Sequence, residues 1–150
     1  MNNVAAIPNP ALKPLNVLVG RWNTTGLHPF VPGKKLHGSV IFDWIEGGAF
    51  LRMQAEIDHP QFPTGLAIFG SDNASGQIFM LYFDEREISR KYEFSIKGNQ
   101  WKWWRDHPNF SQRFTVNIKD NGNKMVSKGE MCRDGKKWED DLSLTYIRIK

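Results

Sequence analysis

Along most of the chain, hydrophobic positions alternate with polar ones in short runs separated by turn-forming residues. That period of two predicts β-strands half buried against a core. Residues 36–45 place Leu36, Gly38, Val40, Phe42 and Trp44 on one side and His37, Ser39, Ile41 and Asp43 on the other. After the turn Glu46-Gly47-Gly48, residues 49–58 set Ala49, Leu51, Met53, Ala55 and Ile57 against Phe50, Arg52, Gln54 and Glu56. A strand over about 65–72 leads to one over 77–84, where Phe79, Leu81 and Phe83 alternate with Ile78, Met80 and Tyr82. Both sides of that strand are apolar, as expected if it is covered on two faces. Residues 88–96 put Arg90, Tyr92, Phe94 and Ile96 together, and residues 100–106 put Trp101, Trp103 and Arg105 opposite Lys102 and Trp104. Strands over 110–118, about 124–132 and 137–148 follow, joined through Asp120-Asn121-Gly122-Asn123 and Arg133-Asp134-Gly135-Lys136, turns with glycine at the tight position. Upstream, Gly20 to Pro29 reads as the opening strand with Trp22 plugging one end, and Pro10 to Val19 as a helical turn serving as lid or plug.

About ten short strands joined mostly by hairpins have few ways to hide their edges. Closure removes edges altogether, and an antiparallel barrel of about eight to ten strands has an interior that can be filled or can hold a small ligand. The expected fold is therefore all-β: an antiparallel up-and-down β-barrel of about ten strands with a short N-terminal helical turn. A two-sheet sandwich would need longer crossovers than these turns supply.

Composition narrows the reading further. A chain of 150 residues is the size of one domain. Met1 to Pro14, an N-terminal extension with three prolines, lacks the cationic and apolar regions of a secretory signal. No apolar run reaches the roughly 18 residues of a membrane span. The single cysteine, Cys132, cannot form an internal disulfide, so a cytoplasmic protein is expected. The net charge of +4 is interleaved with acids, as in Asp84-Glu85-Arg86-Glu87, rather than gathered into the basic face that nucleic acid requires.

Gly20-x-Trp22 on the opening strand is the mark of the calycin superfamily, and residues from about Leu15 to Arg148 resemble an uncharacterised bacterial family of lipocalin-like barrels. The matching segments include Gly47-Gly48-Ala49-Phe50-Leu51, Leu81-Tyr82-Phe83-Asp84, Arg90-Lys91-Tyr92, Trp103-Trp104-Arg105-Asp106, Phe110-Ser111-Gln112-Arg113-Phe114 and Asp134-Gly135-Lys136-Lys137-Trp138-Glu139. The resemblance implies a single calycin-like domain over residues 1–150 and a pocket for a small, mostly apolar molecule. It extends distantly to barrels similar to fatty-acid-binding proteins and to nitrobindin-like haem barrels. The haem branch opens with Gly-x-Trp-x-Gly-x-Gly and carries a late histidine that ligates iron. Here Thr24 stands at the middle glycine and no histidine follows His107, so no cofactor is expected and haem is the disfavoured alternative.

The candidate ligand-binding residues are Trp22, His28, Trp44, Tyr82, Arg90, Tyr92, Trp103, Arg105, Gln112 and Arg113. Trp22, Trp44, Trp103 and Trp138 could wall a pocket. Arg90, Tyr82, Tyr92, Arg105 and Gln112 share strands with apolar neighbours, and a buried arginine must either pair, here with Asp84 or Asp140, or receive an anion. Arg113 points outward if Phe110, Gln112, Phe114 and Val116 face in; a bulge would instead bring it inside, onto Trp22. His28, His37, His59 and His107 lack metal-ligand spacing, Asp140 and Asp141 fall on opposite faces of a strand, and no nucleophile motif is present, so no metal or catalytic residue is assigned. The expectation is a binding module for a small hydrophobic or amphipathic molecule, with aromatic walls and an arginine or tyrosine anchor that a carboxylate head would suit. An enzyme using Tyr82, Tyr92 or His28 as acid or base, and a filled barrel that forms a homodimer, are the alternatives.

Overall fold

The computed structural model describes residues 7–150, so residues 1–6 of the expected extension lie outside it. The strands are β1 (Gly20–Leu27), β2 (Leu36–Ile45), β3 (Phe50–Ile57), β4 (Gly65–Ser71), β5 (Ile78–Asp84), β6 (Ile88–Lys97), β7 (Gln100–Arg105), β8 (Ser111–Lys119), β9 (Lys124–Cys132), β10 (Trp138–Asp140) and β11 (Ser143–Arg148). Each pairs antiparallel with its neighbour, and β1 pairs with β11 to close the sheet. Both β10 and β11 pair with β9, so they are two pieces of one interrupted strand, and the result is a closed barrel of ten antiparallel strands. β1 ends at Leu27 rather than Pro29, whose ring has no N–H to give the ladder.

The interruption between β10 and β11 departs from the continuous strand read over 137–148. Asp140 lies opposite Glu130 and Thr145 opposite Val126, so residues 141–144 face only residues 127–129. The extra residue makes a bulge, which reverses which side chains point inward. Before it, Trp138 faces out; after it, Tyr146 faces in. Trp138 is therefore not a pocket wall, because the bulge turns it to the surface. The main chain is repaired locally: Asp141 N–H bonds the Gly129 carbonyl at 3.0 Å, and Leu144 N–H bonds Ser127 Oγ at 3.0 Å.

One end of the barrel is shut. Residues Pro10–Leu18 form a 3-10 helix, and Leu12, Leu15 and Leu18, spaced by three, stack on one face of a helix with three residues per turn. All three are fully buried with Trp22 beneath them. Asn9 caps the helix through Ala11 N–H and also reaches Ser71, while Trp22 Nε1–H bonds the Leu18 carbonyl at 2.9 Å. Arg148 completes the plug: its guanidinium stacks 4.2 Å over Trp22 and donates to the carbonyls of Val17, Val19 and Gly122. The other end carries the longer connections, residues 28–35 and 58–64, and stays open.

Candidate functional site

A cavity of about 300 Å³ runs inward from the open end, lined by apolar side chains from all around the barrel. Its size is at the low end for small-molecule sites. Tyr82, Tyr92, Trp103 and Phe114, from β5 to β8, give it an aromatic wall. Trp103 stacks on Phe114 at 3.8 Å and meets Tyr92 edge-on at 4.8 Å. Val40, Met53, Ala55, Met131 and Leu144 give the remaining wall an aliphatic and thioether character.

The polar groups gather in a chain across the open half. Asp141, which the bulge turns inward, is buried and accepts from His28 Nε2 at 3.1 Å, Gln112 Nε2 at 2.8 Å and its neighbour Leu142 N–H at 2.7 Å. These donors replace the water that the carboxylate loses on burial. Gln112 presents its oxygen the other way, accepting from Tyr92 Oη at 2.5 Å and Arg90 Nη1 at 3.4 Å. His28 is held at both nitrogens: Phe30 N–H donates to Nδ1 at 3.0 Å, which makes that nitrogen the acceptor and leaves the proton on Nε2, facing Asp141. Neither nitrogen is then free to take a proton from a substrate.

Burial raises the Tyr92 phenol above its ordinary value, opposed in part by Arg90 and Arg105. Burial likewise raises Tyr82, helped by its 2.9 Å bond to Asp84. Asp84 itself is held low, chiefly by side-chain hydrogen bonds from Arg86. Both tyrosines are thus neutral donors at ordinary pH.

Arg90 differs from these satisfied groups. It lines the cavity, lies 4.9 Å over the Phe110 ring, and among the described residues makes no ion pair. Its polar neighbours are neutral: the Gln112 amide at a long 3.4 Å and the Tyr92 hydroxyl beside it. The expected partners, Asp84 and Asp140, are engaged elsewhere: Asp84 bonds Tyr82 and Arg86, and Asp140 points to solvent.

Of the sequence candidates, His28, Tyr82, Arg90, Tyr92, Trp103 and Gln112 all line this cavity. Four others do not. Trp22 belongs to the plug, and Trp44 sits there too, bonding Asn16 at 3.2 Å. Arg105 ends β7 half buried beside the cavity. Arg113 points outward, stacking 3.8 Å over Trp138 and pairing with Glu130 at 3.1 Å, while Arg148 takes the place over Trp22. Sequence reading missed Asp141 and Arg86 among the lining residues, while Phe110, read as inward, lines the cavity. Alternation carries no signal for the inserted residue that brings Asp141 to the inner face.

No family model matches the chain, and no curated protein matches it either. Among solved structures, the crystal structure of Rv2717c from M. tuberculosis is similar, with 15% identity and a TM-score of 0.67, over 94% of this chain and 98% of that one. At that identity the likeness shows a shared barrel fold and carries nothing about activity. No helix among the described residues is long and apolar enough to cross a membrane.

Proposed function

We propose that the barrel is calycin-like and binds a small amphipathic molecule, its apolar body between the aromatic and aliphatic walls and an anionic head, such as a carboxylate, on Arg90. The observation that carries this reading is Arg90 itself, a half-buried guanidinium lining an apolar cavity with most of its donors unused. A guanidinium that faces an apolar cavity loses hydration on that side unless it is paired, and an anion entering from the open end supplies the pair. The plugged opening strand, with Trp22 sealed under the 3-10 helix, supports the calycin reading.

No enzyme is included. His28 has no free nitrogen and the raised phenols of Tyr82 and Tyr92 are poor bases. Haem is not included either, since His28, the histidine that lines the cavity, offers iron no nitrogen while it holds Phe30 and Asp141.

Native mass spectrometry of the purified protein, compared with its denatured mass, tests the reading. A bound acidic molecule, lost in Arg90→Leu, is the expected result. An adduct that survives Arg90→Leu unchanged would show that the anchor is misassigned.

A further inference from the structure

The polar chain around Arg90 occupies the open half of the cavity, but the cavity runs deeper. Its inner end rests on the plug: Tyr146 lines the cavity and meets the sealed Trp22 edge-on at 6.4 Å. Thr24, directly opposite Tyr146 in the β1–β11 ladder, lines the same end. Ser127, also a lining residue, follows on β9, two positions beyond Met125, the other ladder partner of Tyr146. Three hydroxyl residues from three neighbouring strands thus share one wall. The first of those strands, β1, stands diametrically opposite β6, which carries Arg90: the path through β2, β3, β4 and β5 is as long as the path through β11, β9, β8 and β7.

Thr24, Ser127 and Tyr146 are only 2%, 7% and 8% exposed, yet the fold does not satisfy their hydroxyls. Thr24 Oγ1 is the one buried side-chain polar atom among the described residues that has no hydrogen-bond partner. The glycine beside it keeps its surroundings clear, since a Cβ at Gly38 would stand 3.0 Å from that oxygen. Ser127 Oγ accepts from Leu144 N–H at 3.0 Å and neighbours the Tyr146 phenol. A bond between those two hydroxyls uses one of their two protons, whichever way it runs. Counting Thr24, two of the three hydroxyl protons are left without an acceptor among the described residues.

A buried donor without a partner costs stability, and a cavity beside it lets a ligand group take the empty place. The charged lining residues lie elsewhere: Arg86, Arg90 and Asp141 stand in the open half, and Glu56 is exposed. A charge at the inner wall would be buried without a counter-ion. What fits there is an uncharged oxygen with lone pairs to offer, a hydroxyl or a carbonyl.

We propose that Thr24, with the Ser127 and Tyr146 pair, forms a second polar subsite, and that the ligand carries a hydroxyl or carbonyl at the end remote from its anionic head. The identity of the head rests on the reading of Arg90 as anchor; the subsite itself does not. A molecule with oxygen at both ends and an apolar middle is gripped across the barrel, whereas a plain fatty chain strands the inner donors. The site therefore favours hydroxy or oxo acids over unsubstituted acids of the same length.

Calorimetry on the full chain near neutral pH, through a series of straight-chain lengths, separates the two ends. The probes at each length are the monocarboxylic acid, its ω-hydroxy acid, the alcohol and the α,ω-diol. At the length that spans the cavity, the hydroxy acid should bind about tenfold tighter than the plain acid, and the diol should exceed the alcohol in the same way. Thr24→Val, which keeps the shape and removes the hydroxyl, should erase both differences. Without ligand it should melt no lower than the parent, because the hydroxyl it loses is bonded to nothing. Equal binding of hydroxy and plain acid at every length overturns the subsite, assigns the wall to water and leaves the Arg90 anchor standing. A diol that outbinds the alcohol while neither acid binds upholds the subsite and removes the anchor. Binding of none of the four overturns both, and a Thr24→Val protein that melts earlier than the parent places the hydroxyl in the fold's own bonding and overturns the subsite.

Discussion

Arg148 and Arg90 both point into the barrel, at opposite ends, and they are treated in opposite ways. Arg148 is nearly saturated: four of its five donors are spent on the carbonyls of Val17, Val19 and Gly122, and its flat face lies on Trp22. It closes the structure on itself, and burial lowers its pKa. Arg90 has a long contact with the Gln112 amide, the Tyr92 hydroxyl beside it, and an apolar space in front of it. One cation is structural and the other is set out to bind, within the same fold. Burial does not separate them; the number of donors already spent does.

Removing Arg148 should have the largest effect. Arg148→Leu strands the carbonyls of Val17, Val19 and Gly122 and uncovers Trp22, which should cost about 2–4 kcal/mol, read as a shift in the denaturation midpoint. Next comes Asp141→Ala, which leaves the His28, Gln112 and Leu142 donors without an acceptor. A loss of about 2–3 kcal/mol is expected, with weaker ligand binding as Gln112 is released. Arg90→Leu should invert the pattern of Arg148→Leu: stability within about 0.5 kcal/mol of the parent, but affinity for an anionic ligand down about tenfold or more. If Arg90→Leu proved as destabilising as Arg148→Leu, the distinction between the two arginines would collapse.

The smallest effect is a matter of pH. Burial pushes the Tyr146 phenol up from 10.0 to about 12. The folded state then holds this proton more tightly than the unfolded chain, so the contribution is fully present below pH 10 and lost as pH rises through about 12. Tyr146→Phe should flatten this alkaline loss in a plot of melting temperature against pH. Asp84 runs the other way: its carboxyl is lowered, so its contribution is present above the ordinary carboxylate range and lost as pH falls through its folded value.

Much of the architecture could be read from spacing alone. Alternation over 36–45 puts Val40 and Phe42 in the core, and Trp22 beside Gly20 seals an end. Arg90, Tyr92 and Gln112 were legible as a cluster because each falls on the apolar parity of its strand. What alternation cannot register is a single inserted residue. Continued through residues 137–148, it turns Trp138 inward and sets Asp140, not Asp141, on the inner face; the bulge reverses both. Arg148 shared the inward parity of Tyr146 and was overlooked because it ends the last strand. On β5, apolar residues on both faces promise a second cover, yet Leu81 and Phe83 remain 37% and 41% exposed.

The most direct test of Arg90 as an anchor compares two ligands that differ only in the head: a straight-chain carboxylic acid and the alcohol of the same length, titrated by calorimetry near neutral pH. The carboxylate should bind about tenfold tighter or more, with the difference vanishing in Arg90→Leu. Equal affinity for acid and alcohol in the parent protein would contradict it.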